Sequence, residues 1–92
     1  MPDWSWPEFE WDDNNSEHII ERHNVYPEDA EQAFYNGPYV RREGKIYRVY
    51  GQDDSGRYLL IICVLRGTQV RVISARDMDM DKDEKRTYAR VR

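Results

Sequence analysis

Hydrophobic residues recur with a helical period in the first third of this chain and with a period of two in its centre. Ile19 and Ile20 supply a narrow apolar stripe that predicts a first helix over residues 13–23. Asp12 suits the N-terminal end of that helix, where the helix dipole favours negative charge. Asn24 is typical of a left-handed residue that ends a helix.

A second predicted helix begins at Pro27, because proline is well suited to the first helical turn. Ala30, Ala33 and Phe34 follow at positions i, i+3 and i+4 and form one apolar face. Gly37 and the proline after it end the helix.

The central part of the chain predicts an antiparallel meander of four strands. Short turn sequences rich in glycine separate the apolar and alternating segments. The third segment holds a nearly continuous apolar run, which indicates cover on both faces. The predicted strands are Tyr39 to Arg42, Ile46 to Gly51, Arg57 to Leu65 and Val70 to Ala75.

A last helix is predicted beyond Asp81, which forms a capping pair with Glu84. The order of helix, helix, four strands and helix predicts an α+β fold. We expect one domain over residues 1–92, with residues 1–8 as an irregular arm whose tryptophans pack on the body of the domain or on a partner.

Composition excludes several classes of protein. The longest apolar run, residues 59–65, is far shorter than the roughly 20 residues that span a bilayer. The acidic N-terminus lacks the basic start and apolar stretch of a signal peptide. The single cysteine, Cys63, lies inside the apolar run and is predicted to be a buried small hydrophobe. We therefore expect a cytoplasmic protein.

The net charge of −4 conceals two electrostatically different parts. Residues 1–37 hold ten acidic residues and one basic residue, whereas residues 38–76 hold eight basic and three acidic residues. An overall acidic chain argues against a nucleic-acid binder, but the basic central part does not.

No metal or cofactor site is predicted. The acidic run at residues 77–83 has the spacing of a calcium loop, but Lys82 and Tyr88 occupy the positions that require glycine and glutamate. His18 and His23 are five residues apart, so we expect them to point to different faces of their helix.

Several basic and aromatic residues share the predicted sheet. Strict alternation places Arg71, Ile73 and Ala75 on one face of the last strand, with Arg76 at its end. Arginines interspersed with tyrosines suit binding to a phosphate chain and to unpaired bases. The alternative is an ordinary solvent-facing sheet with charged edges. The residues predicted to bind a nucleic acid in this way, beside Arg71 and Arg76, are Arg48, Tyr50 and Arg57.

The chain resembles the BrnT toxins, the ribonuclease components of type II toxin–antitoxin systems. The resemblance extends from Phe9 to Tyr88 and rests on three sequence blocks in the family's order and spacing. The blocks are Phe9-Glu10-Trp11-Asp12 with His23-Asn24-Val25, Glu28-Asp29-Ala30 through Phe34 and Pro38, and Arg71-Val72-Ile73-Ser74-Ala75-Arg76 with Glu84 and Tyr88.

The resemblance implies a RelE-like fold, metal-independent cleavage of RNA in bacteria, and neutralisation by a cognate antitoxin in a hetero-oligomer. It also implies catalytic roles for four residues. Arg71 and Arg76 would hold the phosphate, while His23 and Arg22 would transfer protons or stabilise charge. Tyr88 would bind RNA by stacking on a base or would complete the site. The alternatives are packing of the last helix on the sheet for Tyr88, and a capping or core-packing role for His23.

The chain departs from the family pattern near this predicted site. Asn15 and Ile19 stand where the family often has lysine and asparagine, and Asn24 replaces a glycine. These departures, together with the acidic first part, favour an alternative hypothesis. In that alternative, the chain is a non-catalytic module on the same fold that binds a basic protein partner.

Overall fold

Five strands and three helices make up the computed structural model, which describes residues 7–78 and 84–91. The strands form one sheet in the order β1-β5-β4-β3-β2. The elements are β1 (Glu8–Glu10), α1 (Asp13–His23), α2 (Pro27–Tyr35), β2 (Tyr39–Glu43), β3 (Ile46–Gln52), β4 (Tyr58–Arg66), β5 (Gln69–Asp77) and α3 (Glu84–Val91).

The predicted α+β class is confirmed, and α1 has the predicted bounds. Asp12 caps α1, because its side chain accepts a hydrogen bond from the backbone N–H of Asn15, whose own side chain binds the backbone of Asp12. Asn24 ends the helix in the left-handed conformation, with φ at 53°. Strands β2 to β5 form the expected antiparallel meander.

The N-terminal segment corrects the predicted architecture. Residue Glu8, assigned to an irregular arm, begins a short fifth strand that pairs in parallel with β5. Phe9 lies opposite Val70, and its ring meets Phe34 edge-on at 5.1 Å. The sheet is therefore mixed rather than purely antiparallel. The predicted packing of Trp4 and Trp6 lies outside the described residues.

Helices α1 and α2 cover the first face of the sheet. Ile19 from α1 and Phe34 from α2 are buried there against side chains of β3, β4 and β5. Cys63 is fully buried in this core, and burial raises the pKa of its thiol to about 12. The prediction of a buried cysteine is confirmed by this position.

A close backbone approach joins α2 to β3. Gly51 lies directly under Ala33, and a Cβ atom at position 51 would lie 2.7 Å from the carbonyl oxygen of Ala33. No side chain fits between these two backbones, so glycine is required by packing rather than by its backbone angles.

A bulge interrupts the regular alternation of β5. Ile62 of β4 pairs with Ser74, but the next residue, Cys63, pairs with Val72. Ile73 is therefore an extra residue in β5, and its side chain is pushed to the surface with 45% of its area exposed.

The bulge overturns the predicted faces of the last strand. Ala75 is fully buried in the core beneath the helices, not on the face of Arg71. Arg71 pairs with Val64, and Arg76 pairs with Leu60. Because Val64 and Leu60 are four apart on a regular strand, both arginines lie on the second face of the sheet.

Helix α3 covers part of this second face. Tyr88 is completely buried, meets the ring of Tyr58 edge-on at 6.1 Å, and packs with Tyr50, Leu60 and Met78. The predicted cap at Asp81 lies outside the described residues. No helix within residues 7–78 and 84–91 combines the length and apolarity needed to cross a membrane.

Candidate active site

The C-terminal end of α1 is fixed to the sheet by one arginine. Arg57 donates hydrogen bonds to the carbonyl oxygens of Asn24 (2.7 Å) and His23 (3.0 Å). Its guanidinium also binds both carboxylate oxygens of Asp77, which lowers the pKa of Asp77 and raises that of Arg57. These bonds satisfy carbonyl groups that a helix end leaves open. Arg57 thereby positions the backbone of His23.

His23 lies in a predominantly positive environment. It is half-buried, and burial is the largest cause that lowers the pKa of its imidazole below the ordinary value of 6.5. The positive charges of His18, Arg76 and Arg22 lower this pKa further, and Asp77 opposes them. An imidazole that stays neutral near pH 7 can accept a proton from a substrate. Arg22, from the same turn of the helix, is exposed.

Arg76 connects the end of β5 to α3. Its two terminal nitrogens donate to the two carboxylate oxygens of Glu84, each at 2.8 Å. Glu84 is only 6% exposed, and Arg76 also donates to the carbonyl oxygen of Asp77 at 2.9 Å. This paired geometry is the strongest that arginine and carboxylate adopt. Glu84 therefore binds Arg76, a contact that the capping pattern did not predict.

Arg71 is held by two acidic side chains at the opposite end of α1. It donates to Glu10 at 2.8 Å and to Asp12 at 2.9 Å. The hydrogen bond to Arg71 is the largest cause that lowers the pKa of Asp12, and the same pair raises the pKa of Arg71. Glu10 also accepts a hydrogen bond from the more exposed Arg66 at 3.0 Å.

The block Phe9-Glu10-Trp11-Asp12 has alternating roles in this arrangement. Phe9 packs against the core and the Nε1 of Trp11 donates to Glu31 of α2 at 2.7 Å. Glu10 and Asp12, the two acidic residues of the block, accept hydrogen bonds from Arg71. The motif thus connects β1, α1 and α2 with the first arginine of the site.

Asn15 has a structural role at the point where the sequence departs from the family pattern. It is 5% exposed, and its Nδ2 donates to the carbonyl oxygens of Glu10 (2.9 Å) and Val72 (3.0 Å). Its Oδ1 accepts the backbone N–H of Asp12 at 2.8 Å. Ile19 is buried in the core. Both side chains are therefore engaged within the fold.

The other predicted RNA-binding residues differ in how far their side chains are exposed. Arg48 is half-buried on the second face of the sheet, 3.7 Å from the carboxylate of Glu43. Tyr50 is 3% exposed and Tyr88 is fully buried in the cluster beneath α3. Their burial favours packing roles for both tyrosines, and stacking of either ring on RNA stays a prediction.

The expectation that His18 and His23 point to different faces of α1 is wrong. Although five residues apart, the rings of His18 and His23 meet edge-on, with centroids 5.8 Å apart. His18 also lines a surface pocket with Arg71 and Ile73. The sequence motifs give His18 no catalytic role. The contact between the two rings depends on side-chain directions, which the spacing of residues on a helix does not give.

Within the described parts of the chain, no group of three or more histidine, cysteine, aspartate or glutamate side chains is placed to bind a metal ion. Arginine side chains would therefore supply the positive charge that binds a substrate phosphate. Arg71 and Arg76 lie on one face of the sheet, and the histidines lie on α1, which covers the other face. His18 shares a pocket with Arg71, and the charge of Arg76 acts on His23. Such a set supplies proton transfer and stabilisation of negative charge.

Comparison with known proteins identifies the same family as the motifs. Residues 11–84 match the family model described as the ribonuclease toxin BrnT of type II toxin–antitoxin systems. The fold is similar to the crystal structure of the Brucella abortus ribonuclease toxin BrnT, with a TM-score of 0.65 and 17% sequence identity. That match covers 80% of this chain and 99% of the Brucella chain. None of the curated proteins compared with the chain matches it.

Proposed function

Because this chain belongs to the BrnT family of ribonuclease toxins from type II toxin–antitoxin systems, we propose that it cleaves RNA by a metal-independent, intramolecular reaction. The observation that carries this proposal is the placement of His23 by Arg57, which binds both the carbonyl oxygen of His23 and Asp77, the residue that follows Arg76. The imidazole of His23 is half-buried, and burial and then the charges of His18, Arg76 and Arg22 lower its pKa. This combination suits removal of a proton close to a phosphate.

The proposed reaction uses the ribose 2′-hydroxyl as its nucleophile. His23 removes the hydroxyl proton, and the resulting oxygen attacks the adjacent phosphorus. Arg71 and Arg76 stabilise the negative charge that develops on the phosphate oxygens, and the nearby charge of Arg22 adds to this effect. Arg48, farther along the same face, would bind the next phosphates of the RNA. Arg57 contributes by holding the end of α1 that carries His23.

An RNA phosphate must compete with internal carboxylates in this site. Glu10 and Asp12 occupy Arg71, while Glu84 occupies Arg76. Each arginine has several N–H donors, so a phosphate can share the guanidinium or displace a carboxylate. We therefore expect RNA binding to weaken steeply with added salt, since the contacts to phosphate are electrostatic.

The proposed partner is a cognate antitoxin that carries basic residues. The first 37 residues hold ten acidic side chains and one basic side chain, and they include both helices of the first face. A basic antitoxin segment would be attracted to that part of the chain. We further propose that the toxin acts in the bacterial cytoplasm, where RNA and antitoxin are both present.

Overproduction of the full chain in a bacterial host tests this function. The proposal predicts growth arrest with loss of cellular RNA, and relief of both when a cognate antitoxin is produced together with the chain. Harmless expression in several hosts, with intact RNA, would contradict an active toxin.

One observation favours the alternative of a non-catalytic binding module. Four of the five arginines predicted to act on RNA are paired with carboxylates, in the pairs Arg48–Glu43, Arg57–Asp77, Arg71–Glu10 and Arg76–Glu84. Arginines whose charge is neutralised by carboxylates can stabilise the fold as well as bind a ligand. The alternative predicts tight binding to a basic protein without RNA cleavage, and a nuclease assay on the purified complex and on the free chain separates the two hypotheses.

A further inference from the structure

The contact between His18 and His23 has a geometry that suits a proton-transfer pair. The two rings meet edge-on at 76°, with centroids 5.8 Å apart. His18 is exposed, whereas His23 is half-buried. Cleavage through a 2′-hydroxyl requires one group that accepts a proton and another that donates one to the leaving oxygen.

His18 also brings the pair to the first arginine of the site. It lines a surface pocket of about 200 Å³ with Arg71, Ile73 and the asparagines of the first turn of α1. His23 lies near Arg76, whose charge acts on its imidazole. The two histidines therefore extend along α1 from the neighbourhood of Arg71 to that of Arg76.

The contact between the rings also bears on the protonation of His23. A positive charge on one ring disfavours a second charge on the ring that it contacts. The charged and titrating groups that act on His23 are His18 and Arg22 from α1, and Arg76 and Asp77 from β5. Burial, the largest cause, and the positive charges together favour the neutral form of His23, whereas His18 lies exposed at the surface.

We infer that His18 is a second catalytic residue, the general acid that protonates the leaving 5′-oxygen while His23 acts as the base. This inference rests on the proposed ribonuclease function and adds a residue that lies outside the sequence blocks shared with the family. A half-buried imidazole in contact with an exposed one places two proton-transfer groups at one site, as a cleavage with a base and an acid requires.

The proposed step is balanced in atoms and electrons. His23 takes the proton of the 2′-hydroxyl, a bond forms between the 2′-oxygen and phosphorus, and the bond from phosphorus to the 5′-oxygen breaks. The electron pair of the broken bond goes to the 5′-oxygen, which takes the proton of His18. The products are a 2′,3′-cyclic phosphate and a 5′-hydroxyl, and proton exchange with water restores both rings.

Two substrates with different leaving groups test the role of His18. The purified full chain would be assayed on an RNA oligonucleotide and on a uridine 3′-phosphate ester of 4-nitrophenol, whose leaving group needs no proton. We expect His18→Gln to lower kcat on RNA about 100-fold, the scale of general acid catalysis, with KM little changed. The same variant should cleave the nitrophenyl ester almost as fast as the wild type, whereas His23→Gln should fail on both substrates.

Glu17→Gln provides a matched control, because Glu17 is the exposed neighbour of His18 on α1. It should leave both rates unchanged. Full activity of His18→Gln on RNA, or an equal loss on both substrates, would overturn the role of His18 while leaving the ribonuclease intact. A wild-type chain that cleaves neither substrate would instead overturn the proposed function and, with it, this assignment.

An NMR titration tests the coupling without any substrate. In His18→Gln the pKa of His23 should rise toward 6.5, because one of the positive charges that lower it is removed. The titration of His23 in Glu17→Gln should not move in that direction. An unchanged His23 titration in His18→Gln would contradict the paired arrangement.

Discussion

Arg71 and Arg76 lie on the same face of β5, although five positions separate them and a regular strand would place them on opposite faces. The bulged residue Ile73 accounts for the difference, because it adds one position that does not pair with β4. The bulge thus brings two cations to the side of the sheet that also carries Arg48.

Removal of both arginines should abolish the proposed activity. We expect Arg71→Ala combined with Arg76→Ala to lower RNA cleavage by about 100-fold or more, since each removes a donor that stabilises the developing phosphate charge. Growth after overproduction and cleavage by the purified variant would both be measured. Arg66→Ala is the control, because this exposed arginine also pairs with Glu10 but lies at the end of β4. Full toxicity of the double variant would show that the site lies elsewhere.

The Arg76–Glu84 pair should stabilise the fold more than a surface ion pair does. Glu84 is 6% exposed, so its carboxylate would be left buried without its main partner in Arg76→Ala. A double-mutant cycle on urea unfolding should give a coupling of about 2 kcal/mol, against less than about 1 kcal/mol for Arg66–Glu10. Equal couplings for the two pairs would contradict the buried role of Glu84.

Asn15 should be essential for stability rather than for cleavage. Asn15→Ala removes three hydrogen bonds and leaves the carbonyl oxygens of Glu10 and Val72 without that donor. We expect a loss of about 2–3 kcal/mol in the free energy of unfolding. Asn14→Ala, at an exposed neighbouring position, should change it by less than about 0.5 kcal/mol. A stable Asn15→Ala protein with no RNA cleavage would indicate a direct catalytic role.

Gly51 should tolerate no side chain. A Cβ atom at this position would lie 2.7 Å from the backbone oxygen of Ala33, so Gly51→Ala must push α2 away from β3. We expect a loss of about 1–3 kcal/mol, as for other overpacked core sites. Thermal unfolding would measure it. Ala33→Gly should not restore stability, because the clash involves a backbone atom; a full rescue would contradict this explanation.

The pH dependence of stability should reveal the environment of His23. Its pKa in the folded protein lies below 6.5, so the unfolded chain binds this proton first as the pH falls. The free energy of unfolding should therefore decrease below pH 6.5 until His23 is protonated in the folded state as well. His23→Gln should remove this part of the slope in urea unfolding measured at a series of pH values. A slope unchanged by the substitution would contradict the lowered pKa.

Local sequence signals predicted most elements of this fold. The bounds of α1, the start of α2 at Pro27 and the four strands of the meander follow from periodicity, capping and turn residues. Strand β1 could not be predicted in this way, because three residues with two acidic members carry no strand signal of their own. Its partner lies about sixty positions away in sequence and supplies the pairing.

The sequence predicts which cations belong to the candidate site but not which residues they contact. The arginines and His23 were found from residue type and motif position. Their partners Glu84, Glu10 and Asp77 were not, because these ion pairs form only once β1, β5 and α3 are assembled. The sequence does not predict the bulge at Ile73, because two adjacent apolar residues, Val72 and Ile73, do not by themselves mark an extra residue in a strand.

RNA cleavage by the purified chain in the presence of excess EDTA tests the central claim most directly. The substrate would be an oligonucleotide, compared with the same oligonucleotide carrying a single 2′-deoxy sugar at the cleaved position. We predict cleavage of the all-ribose RNA to a 2′,3′-cyclic phosphate and a 5′-hydroxyl, with no cleavage at the deoxy position. Loss of cleavage in EDTA, or cleavage next to the deoxy sugar, would contradict a metal-independent reaction through the 2′-hydroxyl.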